Sequence, residues 1–311
     1  YKTLTTIIYA RRWQELLGRP VVPVFWLADE DHDFPEAAGA GLLNEDRWRY
    51  LEMENAYPNR PVGRVPLDGS FTDFERELFD LLPDSDFAGD LKATLRMFYR
   101  EGATFRDAFG RWMLHLFADK GLILAGSDDQ EIKQLVARPM QVAATDYKGL
   151  YQALESQSVE LEGMGYERQA LVQNSNLFYL DQKKGRQKLD VVDGRWTTGN
   201  GRSWDSESIG SDIVKHPWDY SPNVFLRPMI QDRLLPTLAY VCGPGELAYY
   251  GQMKRAYEWM GQEMPLLLPR FSITLVEPAI ERISKELPLE FADFPGRIED
   301  LESLYLERQD T

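Results

Sequence analysis

Apolar residues recur at helical spacing at the start of the chain (Leu4, Ile7, Ile8, Trp13, Leu16, Leu17), and Gly18 then stops the pattern, which predicts a helix over 1–17. The next apolar stretch is of a different kind. Val21-Val22-Pro23-Val24-Phe25-Trp26-Leu27-Ala28 is nearly continuous, which predicts a strand buried on both faces within a largely parallel sheet. It ends abruptly in Asp29-Glu30-Asp31-His32-Asp33-Phe34. Helix, short apolar run and polar turn recur at 105–117, 121–124 and 125–129, so the chain reads as a wound α/β core entered more than once. Ligands bind at the carboxyl ends of parallel strands, which places residues 29–33 at the mouth of a site.

The stretches between follow other patterns. Residues 41–110 mix aromatics and charges around Pro58, Pro61 and Pro66, with helical spacing at 71–82 and 91–98, and read as an inserted connecting region. A helix at 147–162 precedes strand-like runs at 171–180, 188–192 and 195–203, so 141–222 reads as a second, mostly β insertion. From 223 the apolar density rises. Gly243-Pro244-Gly245-Glu246 introduces a helix predicted over 247–260, followed by strand-like runs at 265–269 and 271–276. The tail is charged and helical, with apolar spacing at Ile298, Leu301, Leu304 and Tyr305. The expected organisation is a core in three parts (1–40, 111–140, 223–280), two insertions (41–110, 141–222) and an incomplete helical arm (281–311).

Charge narrows the function classes. A formal net charge of −15 over 311 residues disfavours a general nucleic-acid or anionic-membrane surface, because such binders neutralise phosphate with clustered Lys and Arg. Cys242, the one cysteine, forms no intramolecular disulfide, and no Cys/His spacing suggests zinc, so a reducing, cytoplasmic setting is expected. No apolar run is long enough to span a bilayer.

Two constellations can carry chemistry. The acidic run can orient an ammonium, hold Mg²⁺ through carboxylate oxygens, or use His32 as a general base whose pKa its acidic neighbours raise. Strand alternation would send Glu30 and His32 to one side and Asp29, Asp31 and Asp33 to the other. The bland alternative is a solvated turn in which Asp33 caps a helix that has Pro35 in its first position. The second constellation is Arg227, Gln231 and Asp232, with Tyr240, Gly243, Glu246 and Tyr250 following. Arg227 offers a planar fork for carboxylate or phosphate, and the Gly-Pro-Gly turn leaves N–H groups free where a helix begins. An Arg–Asp structural pair and a purely geometric turn are the alternatives here. Arg270 can reach a phosphate or carboxylate or form a surface pair, while His115, His216 and Cys242 read as packing or loop residues. The chain has no complete G-x-x-x-x-G-K-[ST], G-x-G-x-x-G or G-x-S-x-G.

Several separate strings together resemble one family, the cysteine ligases of bacillithiol biosynthesis (BshC). They are Arg19-Pro20-Val21-Val22-Pro23-Val24-Phe25-Trp26 with Glu30-Asp31-His32-Asp33; Leu226-Arg227-Pro228 with Gln231-Asp232; Leu235-Pro236-Thr237-Leu238-Ala239-Tyr240 with Gly243-Pro244 and Glu246; and Met264-Pro265 through Pro269-Arg270 to Glu277-Pro278. The resemblance implies a Rossmann-like parallel-sheet core with connecting-peptide insertions and a C-terminal coiled-coil arm used for homodimerisation. It also implies an amide-forming ligase that joins L-cysteine to glucosaminyl-malate. Under it, His32, Asp31 and Asp33 are the catalytic candidates. Trp26, Glu30, Arg227, Gln231, Asp232, Tyr240, Gly243, Glu246, Tyr250 and Arg270 are the substrate-binding candidates, with no metal ligands assigned. ATP or another adenine nucleotide, with Mg²⁺ only alongside it, is the cofactor question the resemblance raises. A nucleotidyltransferase acting on another small acid and a non-catalytic scaffold of the same fold are the competing readings. Family members carry a glycine-rich loop just upstream of a Tyr-Lys helix and continue well past the arm. With Tyr1-Lys2 at its start, this chain is expected to be part of a longer protein.

Overall fold

The computed structural model describes residues 1–309 apart from 45, 46, 55, 56, 59, 182, 291, 295 and 296. Two compact units divide the chain, Tyr1–Arg270 and Phe271–Thr311.

The first unit opens with α1 (Lys2–Leu17), which ends where Gly18 turns left-handed at φ 61° and donates its N–H to the Gln14 carbonyl. β1 (Val24–Leu27) follows, and α2 (Phe34–Ala37) starts with Phe34, which puts Pro35 second rather than first. Asp33 stands at the cap position, but its side chain makes no capping bond. An antiparallel hairpin of β2 (Gly39–Asn44) and β3 (Arg47–Glu52) comes next, an element the sequence pattern did not announce. α3 (Gly69–Leu81) and α4 (Ala88–Phe98) complete the first connecting region. α5 (Phe105–Phe117) starts where the Thr104 hydroxyl accepts from the Asp107 N–H at 3.2 Å. β4 (Ile123–Gly126) then pairs with β1 in parallel, Val24 opposite Ile123 through Leu27 opposite Gly126.

Asp129 caps α6 (Gln130–Thr145), accepting from the N–H groups of Glu131 and Ile132. α7 (Tyr147–Gly163) follows, capped by Asp146. The β lobe contains β5 (Leu177–Asp181), β6 (Gly185–Val192), β7 (Arg195–Thr198) and β8 (Ser203–Trp204), then α8 (Ser206–Lys215) and β9 (Tyr220–Pro222). Its strands form one antiparallel sheet in the order β8-β7-β6-β5-β9. α9 (Leu226–Leu234) carries the Arg227–Asp232 string. β10 (Ala239–Cys242) leads into α10 (Pro244–Gly251) and α11 (Lys254–Trp259), so the single helix predicted over 247–260 is broken at Gln252 and Met253. β11 (Leu266–Pro269) pairs with β10 in parallel.

Among the described residues the parallel strands form two separate pairs, β1 with β4 and β10 with β11, rather than one continuous sheet. This explains why β1 is half-buried along its whole length instead of buried on both faces: one edge is paired and the other borders a cavity. The largest apolar cluster lies elsewhere. It joins α6 and α7 (Met140, Leu150, Leu154) to the β lobe (Leu177, Trp196, Tyr220) and to the segment after it (Phe225, Met229, Tyr250, Tyr257).

In the second unit, 271–276 has no regular structure, contrary to the strand pattern. α12 (Pro278–Glu286) and α13 (Ile298–Gln309) follow, with Arg308 donating to Asp293 at 2.7 Å. Among the described residues no helix is long and apolar enough to cross a membrane.

Candidate functional site

A cavity of about 1690 Å³ opens between the two parallel pairs. Consecutive residues of β1 (Val24, Phe25, Trp26) and of β10 (Ala239, Tyr240, Val241) border it, so each strand turns its edge, not merely a face, towards the space. One face of α1, with Thr6, Tyr9 and Trp13, covers it, and the β lobe and α9 contribute Arg186, Lys188, Arg227 and Gln231. Charges of both signs therefore line one space, Lys2, Arg19, Arg186, Lys188 and Arg227 against Asp31, Glu36 and Glu246.

At the carboxyl end of β1 the acidic run splits by function. Alternation does not govern it, because the strand ends at Leu27 and the chain turns at once. Asp29 and Glu30 are both buried. Asp29 accepts from the Ser127 hydroxyl and the Asp128 N–H, each at 2.8 Å, and its carboxylate lies 3.1 Å from Arg106 Nε. Burial nevertheless outweighs these bonds and holds its pKa above the ordinary carboxylate value. Glu30, expected to meet substrate, is turned inward to the buried Lys133 ammonium, which also donates to the Tyr220 carbonyl at 2.6 Å. Burial pushes Glu30 up as well, against the pull of Lys133 and Arg186. Asp31 lines the cavity with its side chain half exposed, and His32 stands beside it, its Nδ1 3.3 Å from Asp31 Oδ1. Asp33 is exposed and outside the lining. Among the described residues no group of three or more His, Cys, Asp and Glu side chains is placed to hold a metal ion.

The end of β10 is built differently. The Gly243 N–H donates to Glu246 Oε2 at 2.9 Å, and the Tyr240 hydroxyl donates to Oε1 at 2.7 Å. Lys2, at the start of α1, pairs with the same carboxylate. Burial pushes Glu246 up, but the Gly243 N–H, Lys2 and Tyr240 together outweigh it and hold the carboxyl below its ordinary value. Arg227 donates to Gln231 Oε1 at 3.2 Å and to the Tyr249 hydroxyl at 3.3 Å, and all three side chains reach the cavity.

Of the residues singled out from the sequence, the cavity lining takes in Trp26, Asp31, Arg227, Gln231, Tyr240 and Glu246. Asp232 instead accepts from the Tyr257 hydroxyl at 2.6 Å, and Tyr250 is fully buried against Tyr240 and Tyr249. Both are turned inward because α9 and α10 pack that side against the main cluster. Gly243 shapes the turn without facing the cavity, and Arg270 is exposed, its backbone N–H bonded to the Cys242 carbonyl at 2.8 Å. Sequence reasoning missed Arg186, Lys188, Tyr249 and Lys133. Arg186 and Lys133 meet the acidic run from more than a hundred positions away, and no local pattern marks such partners.

Comparison with known proteins decides the family. Residues 1–271 match the model described as "Bacillithiol biosynthesis BshC, N-terminal Rossmann-like domain". The chain belongs to the BshC family. Its first unit is thus a Rossmann-like domain of mixed α/β structure with parallel strands. Similar proteins named "Putative cysteine ligase BshC" occur in Salinibacter ruber (36% identical over 97% of this chain and 56% of the relative) and Chlorobaculum tepidum (38% over 91% and 51%). Another, in Symbiobacterium thermophilum, is 33% identical over 100% of this chain and 59% of the relative. This BshC-family chain therefore spans a little over half the length of the relatives it matches.

Proposed function

We propose that the protein to which this chain belongs is a ligase that joins the carboxyl group of L-cysteine to the amine of glucosaminyl-malate, the last step towards bacillithiol. The observation that carries this reading is a single cavity lined by cations and carboxylates in a chain whose net charge is −15. The two substrates together present carboxylates and amines, and a space lined with only one sign of charge would repel half of them.

In this reading Arg227, held by Gln231 and Tyr249, offers its fork to the malyl carboxylates. Glu246, kept ionised by Lys2 and the Gly243 N–H, faces an ammonium. Asp31 and His32 take the proton that the sugar's ammonium must lose before its nitrogen attacks the cysteine carboxyl carbon. Amide formation also expels an oxygen from that carboxyl, so the reading includes its prior activation by ATP, with AMP as the leaving group. Homodimerisation through a helical arm and a cytoplasmic setting belong to the same proposal.

The test is a thiol-product assay on the full-length protein with cysteine and glucosaminyl-malate, with and without ATP. Product formation that falls at least about 100-fold in His32→Ala is expected, the scale of a lost general base. Pyrophosphate exchange driven by a different acid, with no thiol product, would replace the reading with the nucleotidyltransferase one.

A further inference from the structure

The charges that line the cavity do not cancel end by end. Beyond β10, Glu246 is matched by Lys2, while Arg227 makes no ion pair among the described residues: its bonds go to Gln231 and Tyr249, and Asp232 acts on it only from a distance. That end is left with an unmatched cation. Beyond β1 the lining holds two carboxylates, Asp31 and Glu36, against one cation, Arg186. The remaining lining cations do not alter this. Lys188 is matched outside the lining by Asp190, 2.6 Å from its ammonium, and Arg19 precedes β1 and so stands at neither carboxyl end. The cavity is therefore polar from strand to strand, negative beyond β1 and positive beyond β10.

Arg186 cannot swing over to neutralise Glu36. Its guanidinium carbon lies 3.9 Å over the Phe178 ring, Nε donates to Ser221 Oγ at 3.0 Å, and Nη2 donates to the Pro222 carbonyl at 2.9 Å. The side chain is only 9% exposed, and Nη1 meets Asp31 Oδ1 at 3.0 Å. Glu36 has no such partner. It is the third residue of α2, the position from which a glutamate ordinarily reaches back to the N–H of the cap residue, here Asp33. Among the described residues its side chain makes neither that bond nor any other hydrogen bond or ion pair, and it lines the cavity exposed. The fold gives this carboxylate no structural task.

An end with a surplus carboxylate attracts an ammonium, which brings donors only, and repels carboxylates and phosphates. The opposite end does the reverse. A substrate that carries an amine at one place and carboxylates at another thus meets a field that favours one direction of entry over its opposite. Resting on the ligase reading, we infer that Glu36 is a substrate-binding residue: beside Asp31 it holds the ammonium of glucosaminyl-malate, while Arg227 holds the malyl carboxylates. Glu36 exchanges no proton. It sets the direction in which the amino sugar lies, and it selects the free amine over an N-acylated sugar, whose nitrogen carries no charge and cannot form the new bond.

The experiment is calorimetry on the full-length protein at pH 7 with two probes, glucosaminyl-malate and its N-acetyl derivative, each without cysteine or ATP. Wild type should bind the free amine more tightly than the N-acetyl form. Glu36→Gln, which keeps the shape and removes the charge, should weaken the amine about 3- to 10-fold and leave the N-acetyl form unchanged. Arg227→Met should weaken both alike. In steady-state kinetics Glu36→Gln should raise KM for the amino sugar and leave KM for cysteine as it was. Equal weakening of both probes by Glu36→Gln, or no weakening of either, would overturn the inference, and so would a raised KM for cysteine instead. The two levels are separable. A wild type that makes the thiol product but shows no preference for the amine sinks the inference alone, whereas a wild type that binds neither probe removes the ligase reading and the inference with it.

Discussion

The carboxyl ends of the two inner strands, β1 and β10, border the same cavity but keep their charges in opposite ways. Beyond β1, two carboxylates are buried against cations from distant elements, Asp29 against Arg106 and Glu30 against Lys133. Beyond β10, Glu246 stays partly open and is held by near neighbours, the Gly243 N–H and the Tyr240 hydroxyl, with Lys2 across from it. The first arrangement ties parts of the fold together and leaves Asp31, His32 and Asp33 exposed, of which Asp31 lines the cavity. The second leaves its charge at the cavity. A run of five adjacent charged or titratable residues is therefore not one site: depth in the fold divides it into structural ties and open groups.

That contrast can be broken most forcefully at Lys133. Its ammonium and the Glu30 carboxylate are 2% and 6% exposed, and removing one partner leaves the other charged and buried. Lys133→Met is expected to cost about 3–5 kcal/mol in urea denaturation, whereas Lys133→Met with Glu30→Leu should recover much of it. Should the single variant match wild type, Glu30 would not be a structural tie. A smaller effect is expected at Gly63, whose N–H donates to the Asp29 carbonyl at 2.9 Å. A Cβ there would stand 2.5 Å from Asp29 Cβ and 2.7 Å from the Asp29 carbonyl oxygen, so Gly63→Ala should cost about 1–3 kcal/mol by chemical denaturation.

Glu246 supplies the pH arm of the comparison. A carboxyl held below its ordinary value of 4.5 contributes stability above that pH and loses it as pH falls through the depressed value. Glu246→Gln should thus be less stable than wild type at pH 7, by under about 1 kcal/mol because the pair with Lys2 is partly solvated, and its melting temperature should converge with that of wild type in acid. A gap that widens in acid would reverse the sign. The smallest change is expected at His32. With half its side chain exposed, His32→Ala should stay within about 0.5 kcal/mol of wild type in the same denaturation assay, however much activity it loses.

The helices with 3.6-residue spacing were legible in the chain itself: Lys2–Leu17 stopped by Gly18, Phe105–Phe117 and Tyr147–Gly163. So was the parallel pairing of the apolar runs that follow two of them. The β2–β3 hairpin escaped although Arg47-Trp48-Arg49-Tyr50 alternates charge and ring, because β3 is exposed along nearly all of its length and its aromatics mark no buried face. The break between α10 and α11 lies at Gln252, a buried side chain that donates to Ser158 and the Ala170 carbonyl, a tertiary reason with no local trace. Asp31, Arg227 and Glu246 could be nominated from residue type and strand-end position. The inward turn of Glu30 could not, since it depends on Lys133: that lysine shares the apolar stripe of Val136, Ala137 and Met140, which marks it as buried but does not say which carboxylate it meets.

The bonds around Asp29 also set an order of events. Its carboxylate reaches Ser127 and Asp128, 98 and 99 positions away, with the whole first connecting region between them. Closing so long a loop costs entropy before any bond rewards it, so these contacts are expected to form after the local helices, on the native side of the folding barrier. Weakening them with Asp29→Asn should speed unfolding and leave the folding rate almost unchanged in stopped-flow chevrons, a φ-value near zero. A φ-value near zero would make the tie at the end of β1 one of the last features to be made.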